Sequence, residues 1–231
     1  MCGRYIVTAS AAEIADAFGV EEAPAMRARF NVAPTTAVPC VRVEDGKRRL
    51  VTLRWGLIPS WAKDETIGTR LINARVETLF EKNAFKSSLE KRRCLVVTTG
   101  FFEWVGPPRA RRPVLLRFED GHPFAYAGLW ARWQPKDGGE PIESCTIVTM
   151  PPNALAARVH DRMPLILDPK LDGARIDEWL DVSRRPDLAA LQVPRDLPGF
   201  RFYAVDKRVG SVRNDDEACV APVGPADTLP T

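Results

Sequence analysis

Only two histidines occur in the 231 residues, at positions 122 and 160, and the five cysteines stand at 2, 40, 94, 145 and 219 with no Cys-x-x-C pair. An odd number of widely spread cysteines argues against a disulfide framework and a structural zinc site, and for a reducing cytoplasm. So few histidines, with the cysteines so scattered, also argue against a transition-metal centre. No metal and no cofactor is expected. Nothing approaches 18 consecutive apolar residues, and no basic segment followed by a long apolar run opens the chain, which argues against membrane spanning and secretion. An excess of one charge is missing too: 33 Lys and Arg against 30 Asp and Glu leave +3. Any nucleic-acid surface must therefore be a local patch of arginines, not a bulk property.

What is present is the composition of an ordinary globular protein, 45% hydrophobic and 27% charged, long enough to bury a sizeable core. Residues 4–8 read as a short strand. Ser10 and Glu13 fit a capping box ahead of a helix with Ala11, Ile14, Ala15 and Phe18 on one face and Gly19 as its stop. Asp45-Gly46 joins alternating runs at 37–43 and 49–54, and Asp120-Gly121 joins strands near 114–118 and 124–130. Asn73 reads as the cap of a helix carrying Val76, Leu79 and Phe80, and a second helix runs through Phe85 and Leu89. Cys94–Val97 is a buried strand, and Asp137-Gly138-Gly139 marks a turn before a strand at 145–149. Helices near 152–157 and 173–181 and a last strand at 200–205 follow. Hairpin signals dominate and βαβ alternation is absent, so the chain reads as one α+β domain, residues 1–221, with a mostly antiparallel sheet. The tail at 222–231 is expected to be disordered.

The residues that carry chemistry are few. Cys2 follows the initiator methionine, and removal of Met1 would leave it with a free amine beside its thiol. The reference values, ~7.7–8.0 for the amine and ~8.5 for the thiol, leave part of each deprotonated at neutral pH. Such a 1,2-aminothiol can attack an amide with its own amine as base. It can equally condense with an aldehyde to close a thiazolidine. As a plain reading, Cys2 is a small residue at the start of a strand. Glu103 lies among Phe101, Phe102 and Trp104. Buried there, its pKa would rise and suit proton transfer, whereas strand alternation alone allows it to face outward. His122 belongs to a turn and is expected to be exposed, which leaves His160, beside Asp161 and Arg162, as the histidine able to serve a site. Trp55 and Trp61, in a turn-rich segment, form a hydrophobic corner or stack on a ligand.

Six segments together resemble one family. They are Met-Cys-Gly-Arg-Tyr at 1–5, Phe-Asn-Val-Ala-Pro at 30–34, Arg-Trp-Gly-Leu-Ile-Pro-Ser-Trp at 54–61, Ile-Asn-Ala-Arg-Val-Glu-Thr at 72–78, Gly-Phe-Phe-Glu-Trp at 100–104 and Val-His-Asp-Arg-Met-Pro at 159–164. In this order they look like the SOS-response-associated peptidase family of abasic-site-processing proteins. The resemblance implies a curved, barrel-like core with flanking helices. It also implies a protein that binds single-stranded DNA, in some cases at a junction with duplex, and traps the ring-opened abasic aldehyde on its N-terminal cysteine, with Met1 removed by the protein itself or by an aminopeptidase. Carried over by motif, the catalytic set is Cys2, Asn73, Glu103 and His160. The DNA-facing set is Arg4, Asn31, Pro34, Trp61, Arg75 and Arg162. A monomer in the cytoplasm is expected, with no membrane partner. The segment after Trp61 and the basic loop at 106–113 depart from some relatives and leave the DNA path open. An amidase of the N-terminal-nucleophile class is the rival, but it calls for an Asn-Gly oxyanion segment that this chain lacks. A binding module in which Cys2 is merely structural is the third reading.

Overall fold

A computed structural model describes residues 2–230. Among them the strands run β1 (Arg4–Val7), β2 (Arg29–Val32), β3 (Ala37–Glu44), β4 (Lys47–Trp55), β5 (Asn73–Arg75), β6 (Arg93–Thr98), β7 (Gly100–Val105), β8 (Arg112–Phe118), β9 (Phe124–Trp133), β10 (Ile142–Met150), β11 (Met163–Pro164), β12 (Ile166–Leu167) and β13 (Phe200–Ala204). The helices are α1 (Ala11–Phe18), α2 (Asn83–Lys91), α3 (Ala154–Ala157), α4 (Gly173–Leu180) and α5 (Leu188–Leu191).

Two sheets carry the fold. In one, β10, β4, β3, β6 and β9 pair in turn, and β9 pairs back onto β10, so the sheet closes on itself. Closure satisfies the edges that an open sheet would leave exposed. The other sheet, in the order β13-β8-β7-β1-β2, is antiparallel throughout. Ile6 C=O accepts from Thr99 N–H at 2.9 Å and ties β1 to the link between β6 and β7. The α+β, mostly antiparallel architecture is the one the hairpin signals imply. The exceptions are two parallel pairings, β4 and β5 each against β10.

Local chemistry accounts for these boundaries. Both Asp45 and Gly46 have positive φ, 50° and 76°, the geometry of the tight turn that joins β3 to β4. Ser10 and Glu13 form the expected capping box, and Gly19 ends α1 in the left-handed region at φ 63°. Gly56, at φ 128°, lies so close to Gly68 that a Cβ on it would stand 2.6 Å from the Gly68 carbonyl oxygen.

Arg93 is buried without a carboxylate among its hydrogen-bond partners. Its Nε donates to Trp179 C=O at 2.5 Å, Nη1 to Leu89 C=O at 2.9 Å, and Nη2 to Arg184 C=O at 3.0 Å and to Asp181 C=O. These carbonyls lie at or beyond the C-terminal ends of α2 and α4, where helices leave acceptors unsatisfied. Arg93→Leu strands them, at about 1–3 kcal/mol for each acceptor that water cannot reach. With two of the four left dry, the expected loss is ~3 kcal/mol, a fall in Tm of roughly 6–12 °C by calorimetry for a chain of this size.

Two local expectations need correction. His122 is not exposed: its side chain retains 13% of its accessible area, with Nδ1 2.5 Å from Asp120 Oδ1 and Nε2 3.0 Å from Asp168 Oδ1. Two flanking carboxylates and the Phe118 ring, centroid to centroid at 4.3 Å, draw it inward. The segment from Pro222, expected to lack order, runs beside β13: Val223 N–H donates to Ala204 C=O at 2.9 Å and Asp227 N–H to Phe202 C=O at 2.7 Å. Thr231 lies outside the described residues. No helix among them is long and apolar enough to cross a membrane.

Candidate active site

β1 and β7 are antiparallel neighbours with Arg4 opposite Phe102 and Tyr5 opposite Phe101. This register brings Cys2, just ahead of β1, beside the Glu103 end of β7. The sheet is covered on both faces: Phe101 belongs to the main core and Phe102 to a second cluster with Ile6 and Leu115. Glu103 shares the inward face of Phe101 and keeps only 5% of its accessible area. The outward alternative is therefore excluded; with both faces buried, alternation alone could not decide it.

Asn73 does not cap a helix. It opens β5, which runs parallel to β10 with Asn73 opposite Ile147, and only a short 3-10 turn, Val76–Thr78, follows. The edge of β10 offered backbone partners there, and pairing with them prevails over the helix-like spacing of Val76, Leu79 and Phe80. From β5 the Asn73 side chain donates through Nδ2 to Cys2 C=O at 2.8 Å. Its Oδ1 is buried and has no hydrogen-bond partner.

Cys2 itself is 1% exposed. Burial pushes its thiol well above the ordinary range, the nearby Glu103 carboxylate adds to the effect, and the Tyr126 hydroxyl draws it back down. Burial likewise raises the Glu103 carboxyl; the imidazole of His160 opposes that rise and Asp161 reinforces it. Cys2, Glu103 and His160 are thus electrostatic neighbours, and Asn73 grips the backbone of the first. All four proposed catalytic residues converge on one place.

His160 has two competing partners at Nδ1. The Arg162 backbone N–H donates to it at 3.0 Å, and Asp161 Oδ1 lies 2.7 Å away. In the first contact Nδ1 accepts and in the second it donates, so the two are alternatives set by where the ring carries its proton.

Tyr126 is the residue that the sequence reading passed over. It sits fully buried in β9, its hydroxyl 3.1 Å from Thr98 Oγ1 and beside the Cys2 thiol. Its ring meets Tyr5 and Phe101 edge-on at 5.8 and 6.1 Å, which fixes its position. A tyrosine in an otherwise apolar, doubly buried strand was the available signal, since a buried hydroxyl needs a partner. Tyr126→Phe keeps the ring and removes one of the groups that favour the thiolate, the backbone at Arg4 being another. The pH midpoint of Cys2 alkylation by iodoacetamide should therefore move upward, with the fold intact by circular dichroism.

The six residues expected to face DNA divide sharply. Arg4 donates to Asn31 Oδ1 at 2.8 Å and to the carbonyls of Val209 and Gly210, while Asn31 is buried and donates to Val209, Ser211 and Asn214 C=O. Together they fasten residues 209–214 against β1 and β2. Arg162 is paired with Glu77. Arg75 is exposed, and Pro34 is half-buried just before Thr35, a β-branched residue at φ 69° held by hydrogen bonding to Trp55. Trp55 is buried in the hydrophobic corner, whereas Trp61 keeps 58% of its area and walls a hollow of about 490 Å³ with Asn83, Lys86, Ser87 and Glu90.

A closed sheet with a second sheet beside it, and a buried cysteine flanked by asparagine, glutamate and histidine, define an α+β protein with a cysteine-centred site. The model of the SOS response associated peptidase family matches residues 1–212, and the chain belongs to that family. It is 36% identical over 221 residues to the abasic site processing protein YoqW of Bacillus subtilis strain 168, covering 93% of this chain and 96% of that one. It is 28% identical over 265 residues to the abasic site processing protein HMCES of Gallus gallus, covering 96% of this chain and 78% of that one. Among solved structures, a protein from Bacteroides thetaiotaomicron matches with a TM-score of 0.84 and 27% identity, over 96% of this chain and all of the other.

Proposed function

We propose that the protein traps abasic sites in single-stranded DNA, including at junctions with duplex, by forming a thiazolidine between Cys2 and the ring-opened sugar aldehyde. The observation that carries this reading is the meeting of Cys2, Asn73, Glu103 and His160 at one buried spot. The names borne by the relatives point the same way. Met1, which lies outside the described residues, must first be removed, by self-cleavage or by an aminopeptidase, because a thiazolidine needs a free amine.

The chemistry then runs in three balanced steps. The amine of Cys2 adds to the aldehyde carbon to give a carbinolamine. Loss of water gives an imine, with Glu103 supplying the proton that leaves with the hydroxyl. The thiol adds to the imine carbon, its proton passing to nitrogen, and closes the ring. Burial raises the pKa of this carboxyl and so favours the protonated form that the step requires. Asn73 Oδ1, buried and without a partner, is placed to accept from the amine or from a sugar hydroxyl. His160, with a proton on Nε2, assists opening of the sugar. On the DNA side, Arg75 binds a phosphate and Trp61 and Pro34 meet bases where the strand is unpaired. Arg4 and Asn31 act by holding residues 209–214, and Arg162 contributes a second phosphate contact.

The test is a crosslinking assay on denaturing gels with matched oligonucleotides, one containing a single abasic site and one intact. A shifted band that survives denaturation with the first and is absent with the second supports the reading. No such band with either oligonucleotide, from protein shown to lack Met1, rejects it.

A further inference from the structure

Arg162 is already occupied by groups of the chain itself. Its Nη2 donates to Glu77 Oε2 at 2.9 Å and to Thr149 C=O at 2.7 Å, and its Nη1 donates to Glu77 Oε1. The Arg162 side chain keeps 13% of its accessible area and the Glu77 side chain 36%. The third nitrogen, Nε, is buried and has no hydrogen-bond partner. The Glu77 carboxyl is held below its ordinary range, first by the hydrogen bonds from Arg162, with a further contribution from the charge of Arg75. Two guanidinium groups thus act on one half-open carboxylate.

The position matters as much as the pairing. The 3-10 turn after β5 sets Glu77 four residues beyond Asn73, and Arg162 stands two residues after His160. Arg162, which Glu77 holds, also gives its backbone N–H to His160 Nδ1 at 3.0 Å, so the ion pair adjoins the proposed catalytic histidine. The fork of an arginine accepts a carboxylate or a phosphate in the same two-pronged geometry.

We propose that Glu77 is the resident occupant of a backbone-phosphate subsite, holding Arg162 in the free protein and giving way to a phosphodiester when a strand binds. The proposal rests on the reading that the protein binds DNA. Its consequence is a brake on affinity. A strand must displace a bidentate carboxylate and leave that charge near its own phosphate, so intact strands are held less tightly than the arginines alone would hold them. Affinity would then be modest until the covalent step commits the strand.

The experiment uses an intact, fluorescently labelled single-stranded oligonucleotide, so that no crosslinking contributes, and anisotropy titrations of the wild type and Glu77→Gln between about 50 and 200 mM salt. Glu77→Gln keeps the shape and removes the charge. Expected is binding tighter by about 3- to 5-fold, the scale of one partly exposed charge pair. The plot of log affinity against log salt should steepen by up to about one unit, because the phosphate contact is no longer offset by a freed carboxylate. As a second readout, inorganic phosphate should raise the Tm of Glu77→Gln more than that of the wild type. Unchanged or weaker DNA binding by Glu77→Gln, with no added response to phosphate, would overturn the proposal and leave Glu77 as a strut for Arg162. If neither protein binds DNA, the DNA reading fails separately, and the phosphate response alone decides the subsite.

Discussion

Cys2→Ala should give a folded protein that binds single-stranded DNA and forms no covalent adduct with an abasic site. The side chain is 1% exposed, and what the substitution removes is one sulfur atom from the space beside Tyr126 and Glu103. The backbone carbonyl that Asn73 grips at 2.8 Å remains. The fold should therefore lose at most about 1–2 kcal/mol, the scale of a small deletion in a core. The proposed chemistry, by contrast, loses the group assigned to close the ring. An amine without its neighbouring thiol still forms an imine, but the imine is open to water and returns the aldehyde. Adduct yield on a denaturing gel should fall to background, with binding by anisotropy within a few-fold of wild type. Cys2→Ser should behave alike, because a hydroxyl gives far too little of its anion near neutral pH. An adduct of undiminished yield and stability in either variant would remove Cys2 from the reaction.

The second large effect belongs to Glu103. Glu103→Gln should slow adduct formation by about 10²- to 10⁴-fold, the usual contribution of a positioned acid–base group. It should also stabilise the protein at alkaline pH. Burial raises the folded-state pKa of this carboxyl above its unfolded value. The stability that Glu103 lends is therefore fully present below the unfolded pKa and is lost as pH rises through the folded one, where a desolvated charge must be carried. Glutamine carries no such charge. The Tm of Glu103→Gln should exceed that of the wild type at pH 8, and the gap should close as pH falls through the raised carboxyl range. A variant both inactive and less stable at pH 8 would mean that Glu103 is a structural strut. Lower rate with higher stability is the pattern of a residue kept strained for function.

How much of this was legible follows from where each signal resides. Turn chemistry is local, so Asp45-Gly46 and the Ser10–Glu13 box announced their geometry correctly. Motif resemblance named Asn73, Glu103 and His160, the three residues that gather around Cys2. Asn73 was misassigned to a helix because its pairing with β10 is a contact across more than 70 residues, which periodicity does not register. The orientation of Glu103 was undecidable from alternation because β7 is covered on both faces. His122 looked like a turn residue, and nothing in its neighbourhood of sequence showed the distant Asp168 that receives it. The same holds for Arg162, whose partner Glu77 lies 85 residues earlier in the chain. Distance in sequence, more than weakness of the interactions, separates what could be read from what could not.

The central claim is that Cys2 closes a thiazolidine ring on the abasic aldehyde, and intact-mass spectrometry tests it most directly. The protein is measured alone and after incubation with a short single-stranded oligonucleotide bearing one abasic site. The account predicts a free protein lacking Met1 and an adduct equal in mass to that protein plus the oligonucleotide less one water, absent in Cys2→Ala. A protein lacking Met1 that forms no adduct, or an adduct that persists in Cys2→Ala, would contradict it.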